Sequence, residues 1–428
     1  MTQIILLSMV NFKQRANHVL SPVIGRFTDL EISYGKGCYL YDSKNVAYLD
    51  FSSGIGVTST GHCHPEIVNA ITKQANQLIH PCIGIGFYDV VITLAEKLSS
   101  LLQPMPYSVF FNQSGSEAIE TAVKLATYVQ NKHQIVAFKG GFHGRTLGAL
   151  SLTTSKLKYR KGYEPLLYPV KYLDYPNTYH SELSVDDMVQ NIMTTTILNK
   201  EVAAVIIEPI LGEGGYYIAP SEVLLALKTR CEALGIFLIF DEIQSGIGRT
   251  GDWFAFQQYH LVPDIITTAK GLGSGMPIAA CIAKKEIMDQ WPAGAHGGTY
   301  GGNPVSCAAA LATLNVIQPY LSTVQSLGKY GLKFLIDEIG DHPCIGEIRG
   351  VGLMIGIEFV MNKNTKKPNS NFMKRVIEYC LEHHLIVISC GIYDNVIRLI
   401  PPLVIDQKTF LKGLGIFVDG VNVSDYSW

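Results

Sequence analysis

Residues 202–243 read VAAVIIEPILGEGGYYIAPSEVLLALKTRCEALGIFLIFDEI. Val202 to Ile207 is apolar at every position, as expected of a strand covered on both faces. A helical run over 221–235 follows, and then a second apolar strand that closes on Asp241 and Glu242. Strand, helix and strand in that order make a βαβ unit, so the fold class is α/β with a parallel sheet.

The alternation continues outward from this unit. Upstream lie YSVFF (107–111), the helical SEAIETAVKLATYVQ (116–130) and QIVAFKG (134–140), and downstream lies DIITTAK (264–270). After about residue 320 the texture changes to helices such as FMKRVIEYCLEHH (372–384), followed by the strands LIVISCG (385–391) and NVIRLIPPLVI (395–405). That pattern describes a smaller α+β domain. The first sixty residues, turn-rich at SYGKGCYLYDSKN (33–45), are expected to pack on it and lead into the large one. The expected division is an N-terminal segment 1–60, a large domain 61–320 and a small domain 321–428. NKNTKKPNS (362–370) reads as a solvated loop.

Composition narrows the function. A length of 428 residues implies two or three domains at about 150 residues each. Charged residues are 16% and hydrophobic ones 47%, against roughly 25% charged in an average soluble domain, so part of the surface is expected to be covered by another chain. Thirty-four basic and thirty-six acidic side chains leave a net charge of −2, which gives no electrostatic case for nucleic acid or an anionic membrane. Small molecules are the expected partners. The nine cysteines are scattered without a C-x-x-C pair, which points to a reducing, cytoplasmic setting. MTQIILLSMVNF (1–12) has no basic residue before its apolar run and no small-x-small site after it, so it is not read as a signal peptide. No segment reads as a membrane helix of eighteen or more apolar residues.

In open α/β sheets, ligands bind beyond the carboxyl ends of the strands. Four polar groups fall there: Glu208, Asp241, Glu242 and Lys270. A carboxylate at a strand end often serves as a turn or helix cap, and a lysine there is often solvated. Lys270 is different in its setting, because it follows the apolar run Ile265 to Ala269 and precedes the glycine-rich GLGSGMP (271–277). Asp241 and Lys270 together converge on one rim.

A second feature is NQSGSEA (112–118), where a strand ends and an amphipathic helix begins with Ala118, Ala122, Leu125, Ala126 and Val129 on its buried stripe. Ser116 is expected to cap it, and a helix N-terminus with a glycine and the hydroxyls of Ser114 and Ser116 suits a phosphate dianion. A plain serine cap with Glu117 in the first turn is the alternative. Two other patterns mislead. GIGRTG (246–251) matches a dinucleotide fingerprint by letter, but DEIQS separates it from its strand and no clear helix follows. The histidines of GHCHP (61–65) lack a nearby third ligand and read as turn residues, so no metal is expected.

A reactive amine, a carboxylate at a neighbouring strand end and a phosphate cradle are the parts needed to hold pyridoxal 5'-phosphate. Burial would lower the lysine's pKa and favour its neutral, nucleophilic form, while Asp241 would keep the pyridine nitrogen protonated.

With these residues in view the sequence resembles the class III, subgroup II, pyridoxal-phosphate-dependent aminotransferases of fold type I, most closely the 4-aminobutyrate aminotransferases. The likeness runs from LDFSSGIGVTSTGHCHP (49–65) to VIRLIPPLVI (396–405), through NQSGSEA, FHGRT (142–146), IEPILGEGG (207–215), FDEIQSGIGRTG (240–251), TTAKGLGSGMP (267–277) and HGGTYGGNP (296–304). The resemblance implies a large domain with a mostly parallel seven-stranded sheet flanked by helices, and a smaller α+β domain.

It further implies roles for particular residues. Lys270 would be the lysine joined to the cofactor and Asp241 the partner of its ring nitrogen. Ser114, Gly115 and Ser116 would hold the phosphate; Phe142, with His143 beside it, and Ile243 would cover the two ring faces. Gln244 would lie near the phenolic oxygen and Glu208 close behind. Thr299 would reach the phosphate of a neighbouring subunit, which makes the active unit a homodimer with shared sites, alone or paired into a tetramer. Arg145 would take the distal carboxylate of the substrate, Glu213 would mask Arg398 until the 1-carboxylate of 2-oxoglutarate displaces it, and Ile55 would line the pocket.

The expected reaction moves an amino group from an ω-amino acid, 4-aminobutyrate in first place, to 2-oxoglutarate. Near Gly84 the sequence departs from the pattern toward a smaller residue and a wider pocket. Ornithine, acetylornithine and lysine are therefore alternative donors. An amino-acid racemase of the same fold and a non-catalytic cofactor-binding protein are the remaining readings.

Overall fold

The computed structural model describes residues 12–102 and 106–424. Of the N-terminal apolar run, residues 1–11 lie outside the described residues, and Phe12 opens the helix Phe12–Val19. A short antiparallel meander comes first, with strands β1 (Ile32–Lys36), β2 (Tyr39–Asp42) and β3 (Ala47–Asp50).

The central sheet is built from β4 (Tyr107–Asn112), β5 (Gln134–Phe138), β6 (Val170–Leu173), β7 (Val202–Ile207), β8 (Phe237–Asp241), β9 (Ile265–Thr268) and β10 (Ala279–Lys284), in the order β4-β10-β9-β8-β7-β5-β6. β10 is antiparallel to both its neighbours, and the ladders from β9 through β6 are all parallel. This is the seven-stranded, mostly parallel sheet that the resemblance implies. β7 and β9 are buried at every position, so the unbroken apolar run of β7 has a direct cause, helices on both faces, and β9 takes its two threonines inside as well.

Two of the seven strands escape a reading by residue type. β6 is a short edge strand with only Leu173 buried, and β10 reads AACIAK, with alanine where β-branched residues usually mark a strand. Helix Gly115–Gln130 leads from β4 to β5 and buries Ala118, Ala122, Leu125 and Ala126. Helix Ser221–Leu234 leads from β7 to β8 and stops at Gly235, which takes a left-handed φ of 63°.

The C-terminal part contributes β11 (Ile345–Val351), β12 (Met354–Phe359), β13 (Leu385–Ile386), β14 (Ile388–Cys390) and β15 (Val396–Leu399). β11, β12, β15 and β14 form an antiparallel sheet in that order, while β13 lies parallel to β3. LIVISCG, one strand by its letters, is therefore split at Val387 between two sheets. The amide of Leu49 donates to His384 O (2.8 Å) and that of Phe51 to Ile386 O (2.9 Å), and the Phe51 ring rests on helix Gln407–Val423 at Gly413, where a Cβ would come within 2.2 Å of it.

The stretch Pro304–Ile339 has the length and apolar composition of a membrane-crossing helix. It is broken by a 3-10 turn at Gln318–Tyr320, and its first half, Pro304–Ile317, is largely buried in the protein.

Candidate active site

Beyond the carboxyl ends of β7, β8 and β9 lies a cavity of about 320 Å3. Glu208 leaves β7, Asp241 ends β8, and Lys270 stands at the bend after β9, so three of the four polar groups expected at strand ends meet there. Glu242, the fourth, turns away. It is fully buried, accepts from the Phe256 amide (2.9 Å) and the Ser245 hydroxyl (2.6 Å), and serves the turn instead.

Lys270 opens a one-turn 3-10 segment with φ 41°, a left-handed conformation that a side chain adopts only under constraint. Burial, together with the Arg398 charge, pushes its ammonium down to about 8, against the opposing pull of Asp241, Glu208 and Glu213. Asp241 is buried, with Oδ2 2.7 Å from His143 Nδ1 and Oδ1 accepting from the Ile243 amide (3.0 Å) and more distantly from the Thr267 hydroxyl (3.4 Å). Burial works against a charged His143, but the hydrogen bond and charge of Asp241, with Glu208 beyond, outweigh it and raise its pKa.

Glu208 ties two loops of the wall together. Its Oε1 accepts from the Phe142 amide and its Oε2 from the Gly212 amide, both at 2.8 Å. Burial pushes its carboxyl up to about 7; the His143 charge opposes this and the Asp241 charge adds to it.

The helix terminus at 114–117 corrects one expectation. Ser114, not Ser116, is the N-cap: its hydroxyl accepts from the Glu117 amide (3.3 Å), and Glu117 Oε2 accepts from the Ser114 amide (2.9 Å). The S-x-x-E spacing closes this capping box, which places Ser116 inside the helix. Ser116 Oγ instead accepts from the Arg145 amide (3.2 Å). The amides of Gly115 and Ser116 have no intrahelical carbonyl to reach, and both residues line the cavity. A Cβ on Gly115 would sit 3.0 Å from Ile243 Cδ1, and one on Gly144, at φ 133°, only 2.3 Å from Ser116 Oγ. The terminus thus stays open because its neighbours leave no room for side chains.

Phe142, His143, Ile243, Gln244 and Glu213 also line the cavity. Gln244 Oε1 is buried there with no hydrogen-bond partner. An exposed helix terminus, the side-chain amide of Gln244, a buried carboxylate and a lysine of lowered pKa are a donor and acceptor set that fits the phosphate, phenolic oxygen, ring nitrogen and aldehyde of pyridoxal phosphate.

Beside the cavity, Arg398 Nη2 is 2.9 Å from Glu213 Oε2, and Arg398 Nε and Nη1 are buried without a partner. Arg145 is exposed and lies over the Tyr159 ring, 4.4 Å from its centroid. Ile55 is 39% exposed and has φ 69° in a turn pinned by Asp50, whose Oδ1 accepts from the Ser52 amide (2.8 Å). Thr299 sits in an exposed loop. Arg145, Arg398, Ile55 and Thr299 do not line the cavity; Val57, from the same turn as Ile55, does. The histidines of GHCHP, expected in turns, have other places: His62 forms a β-bridge with Gly37 and its Nε2 is 2.8 Å from Asp50 Oδ2, and His64 is the N-cap of helix Pro65–Gln77, its side chain accepting from the Glu66 amide.

Tyr159 and Lys156 were not singled out by sequence. The Tyr159 hydroxyl donates to Glu213 Oε1 (3.3 Å) and Lys156 Nζ is 3.9 Å from the same atom. TSKLKYRKG (154–162) has the look of a solvated basic turn, and no local pattern reveals that it folds against residue 213.

A family profile described as aminotransferase class-III matches residues 24–421. The chain is 36% identical over 403 residues to the 5-aminovalerate aminotransferase of Pseudomonas aeruginosa, covering 92% of this chain and 94% of that protein. It is 34% identical over 409 residues to the 4-aminobutyrate aminotransferase of Escherichia coli (94% and 96% covered), and 38% identical over 390 residues to the acetylornithine aminotransferase of Archaeoglobus fulgidus (91% and 94% covered). Among solved structures, a Bacillus anthracis aminotransferase superposes with a TM-score of 0.90 at 30% identity, covering 97% of this chain and 100% of that one.

Proposed function

The chain belongs to the class-III aminotransferases, fold type I enzymes that depend on pyridoxal phosphate, and from that premise we propose that it transfers the amino group of an ω-amino acid, 4-aminobutyrate before others, to 2-oxoglutarate. The observation that carries this reading is the Glu213–Arg398 pair beside Lys270. A donor with one distal carboxylate and an acceptor with two must use the same pocket in turn, and an arginine covered by a movable carboxylate serves both.

When bound, pyridoxal phosphate supplies an aldehyde for the amine and a ring that takes up the electron pair released at the substrate carbon. The residues of this chain do the rest. Gly115 and Ser116 offer amides to the phosphate, and Ser114 holds that helix end in place. Phe142 and Ile243 would cover the ring and exclude water. Gln244 would donate to the phenolic oxygen, and Asp241, held by His143, would keep a proton on the ring nitrogen. Lys270 Nζ, near neutrality in its pKa, is the attachment point and then the base that takes and returns the proton of the substrate carbon bearing the amine. Arg145 holds the distal carboxylate, Ile55 borders the substrate, and Arg398, once Glu213 withdraws, binds the 1-carboxylate of the keto acid.

Acetylornithine or ornithine is the second reading of the donor. The 38% identity to an acetylornithine aminotransferase supports it; Gly84, expected from sequence to widen the pocket, does not line the cavity. Lysine belongs to the same group of donors, and a racemase would need no keto acid. A panel of 4-aminobutyrate, 5-aminovalerate, ornithine, acetylornithine and lysine, each with 2-oxoglutarate and with pyruvate, tests the reading. Turnover of ornithine or acetylornithine alone would replace 4-aminobutyrate, and reaction without any keto acid would replace the transaminase cycle.

The reading includes a homodimer, or a pair of such dimers, in which Thr299 reaches the neighbour's phosphate. Ile79, Ile85, Phe87 and Tyr300 are 64%, 84%, 91% and 60% exposed, an apolar surface of the kind a second subunit covers. The nine cysteines, scattered without a C-x-x-C pair, support the cytoplasmic setting of this reading. The proposed organisation keeps 61–320 as the cofactor domain, with 1–60 and 321–428 closing on it.

A further inference from the structure

Glu213 is approached by cations from two sides. Arg398 Nη2 is 2.9 Å from its Oε2, while Lys156 Nζ is 3.9 Å from its Oε1. The second distance is too long for a hydrogen bond, although the charges still attract in so enclosed a place. Lys156 is 7% exposed and its ammonium is in direct contact with Asp394 Oδ1, a carboxylate that is 48% exposed in the turn before β15. The Glu213 backbone is pinned, because its carbonyl accepts from the Gly391 amide (2.9 Å). Only the side chain is free to swing.

The alternation proposed above requires Glu213 to leave Arg398 in one half of the cycle and return in the other. A carboxylate turned into a mostly buried wall without a cation is strongly disfavoured. We propose that Lys156 is the positioning residue that receives Glu213 when the keto acid takes Arg398, and that Asp394 restrains it in the meantime; this rests on the reading of the Glu213–Arg398 pair given above. A small rotation of the carboxylate shortens the contact with Lys156 as it lengthens the one with Arg398. The Tyr159 hydroxyl, 3.3 Å from Oε1, is the pivot. Burial, then the Glu213 charge, raises its pKa, so it stays a donor throughout. Asp394, by holding Lys156 short of Glu213, leaves the resting carboxylate on Arg398.

Steady-state kinetics of the holoenzyme test this with Lys156→Met, Lys156→Arg and Asp394→Asn, reading KM and kcat separately for 2-oxoglutarate and for the best ω-amino donor. Lys156→Met is expected to raise the KM for 2-oxoglutarate by about tenfold or more, the low end of one charge-assisted contact, with the donor's KM and the cofactor's visible spectrum unchanged. Lys156→Arg restores most of the loss. Asp394→Asn shifts the same KM the opposite way, since an unrestrained Lys156 draws Glu213 off Arg398. In a Glu213→Ser background Lys156→Met changes nothing further. Equal changes for both substrates, no change at all, or Asp394→Asn acting in the same direction as Lys156→Met would overturn the role of Lys156 and leave the pair's reading standing. A parent enzyme that fails to use 2-oxoglutarate with any donor overturns both.

Discussion

His143 Nδ1 stands 2.7 Å from Asp241 Oδ2 with both side chains buried, so the imidazole holds one carboxylate oxygen while the Ile243 amide and, more distantly, the Thr267 hydroxyl hold the other. Asp241→Asn keeps the shape and removes the charge. The expected outcome is a protein that folds and binds cofactor but loses about 10³-fold in kcat, the scale seen when a preorganised electrostatic partner is removed. Single-turnover kinetics check it, and a variant with near-normal kcat would contradict the role given to Asp241.

Lys270→Ala should abolish turnover together with the yellow colour of the holoenzyme, with phosphate binding retained. In cofactor-free protein the same residue carries a stability signature. Its folded pKa, about 8, lies below the unfolded value near 10.4, so between these pH values the unfolded chain binds the extra proton. Stability therefore rises with pH across that window on account of this group, and below pH 8 the buried charge is a standing penalty. Apo Lys270→Met should melt above the apo parent at pH 7, and the gap should close toward pH 10. A gap that stays constant with pH would rule out this cause.

Glu213→Ser uncovers Arg398 permanently. Selectivity for an ω-amino donor over L-glutamate should fall by at least about tenfold, the low end of what one close charge pair is worth, through a lower KM for glutamate. Unchanged selectivity in a competition assay would count against masking.

Phe87 is 91% exposed beside Ile85 at 84%. Phe87→Asp places a charge on this apolar face and is expected to shift the protein toward monomer in sedimentation, with activity falling in step if Thr299 completes a neighbour's site. A variant that remains a dimer would move the interface elsewhere.

The cofactor end of the site was legible because its parts sit where pattern and chemistry coincide. Val202–Ile207 and Phe237–Asp241 advertise buried strands, and the polar residues just past them could only lie at the rim. The helix terminus was legible in place but not in detail, since Ser114 and Ser116 are equally good caps until Glu117 chooses between them. Contacts across the chain were not legible. Lys156 and Asp394 are 238 residues apart and Tyr159 and Glu213 are 54 apart, and nothing in either neighbourhood records the meeting. β10 was hidden for another reason: alanines fill its crowded interior position, and alanine carries no strand signal.

The segment shared between β13 and β14 binds β3, which runs into the turn that ends at Val57, to the strand that bears Arg398, because one short piece of chain is hydrogen-bonded to both strands. Wall and cation therefore travel as a single jaw. Cutting away the leading fifty residues would not merely shorten the molecule; it would slacken the grip on the carboxylate end of whatever amino acid lies between.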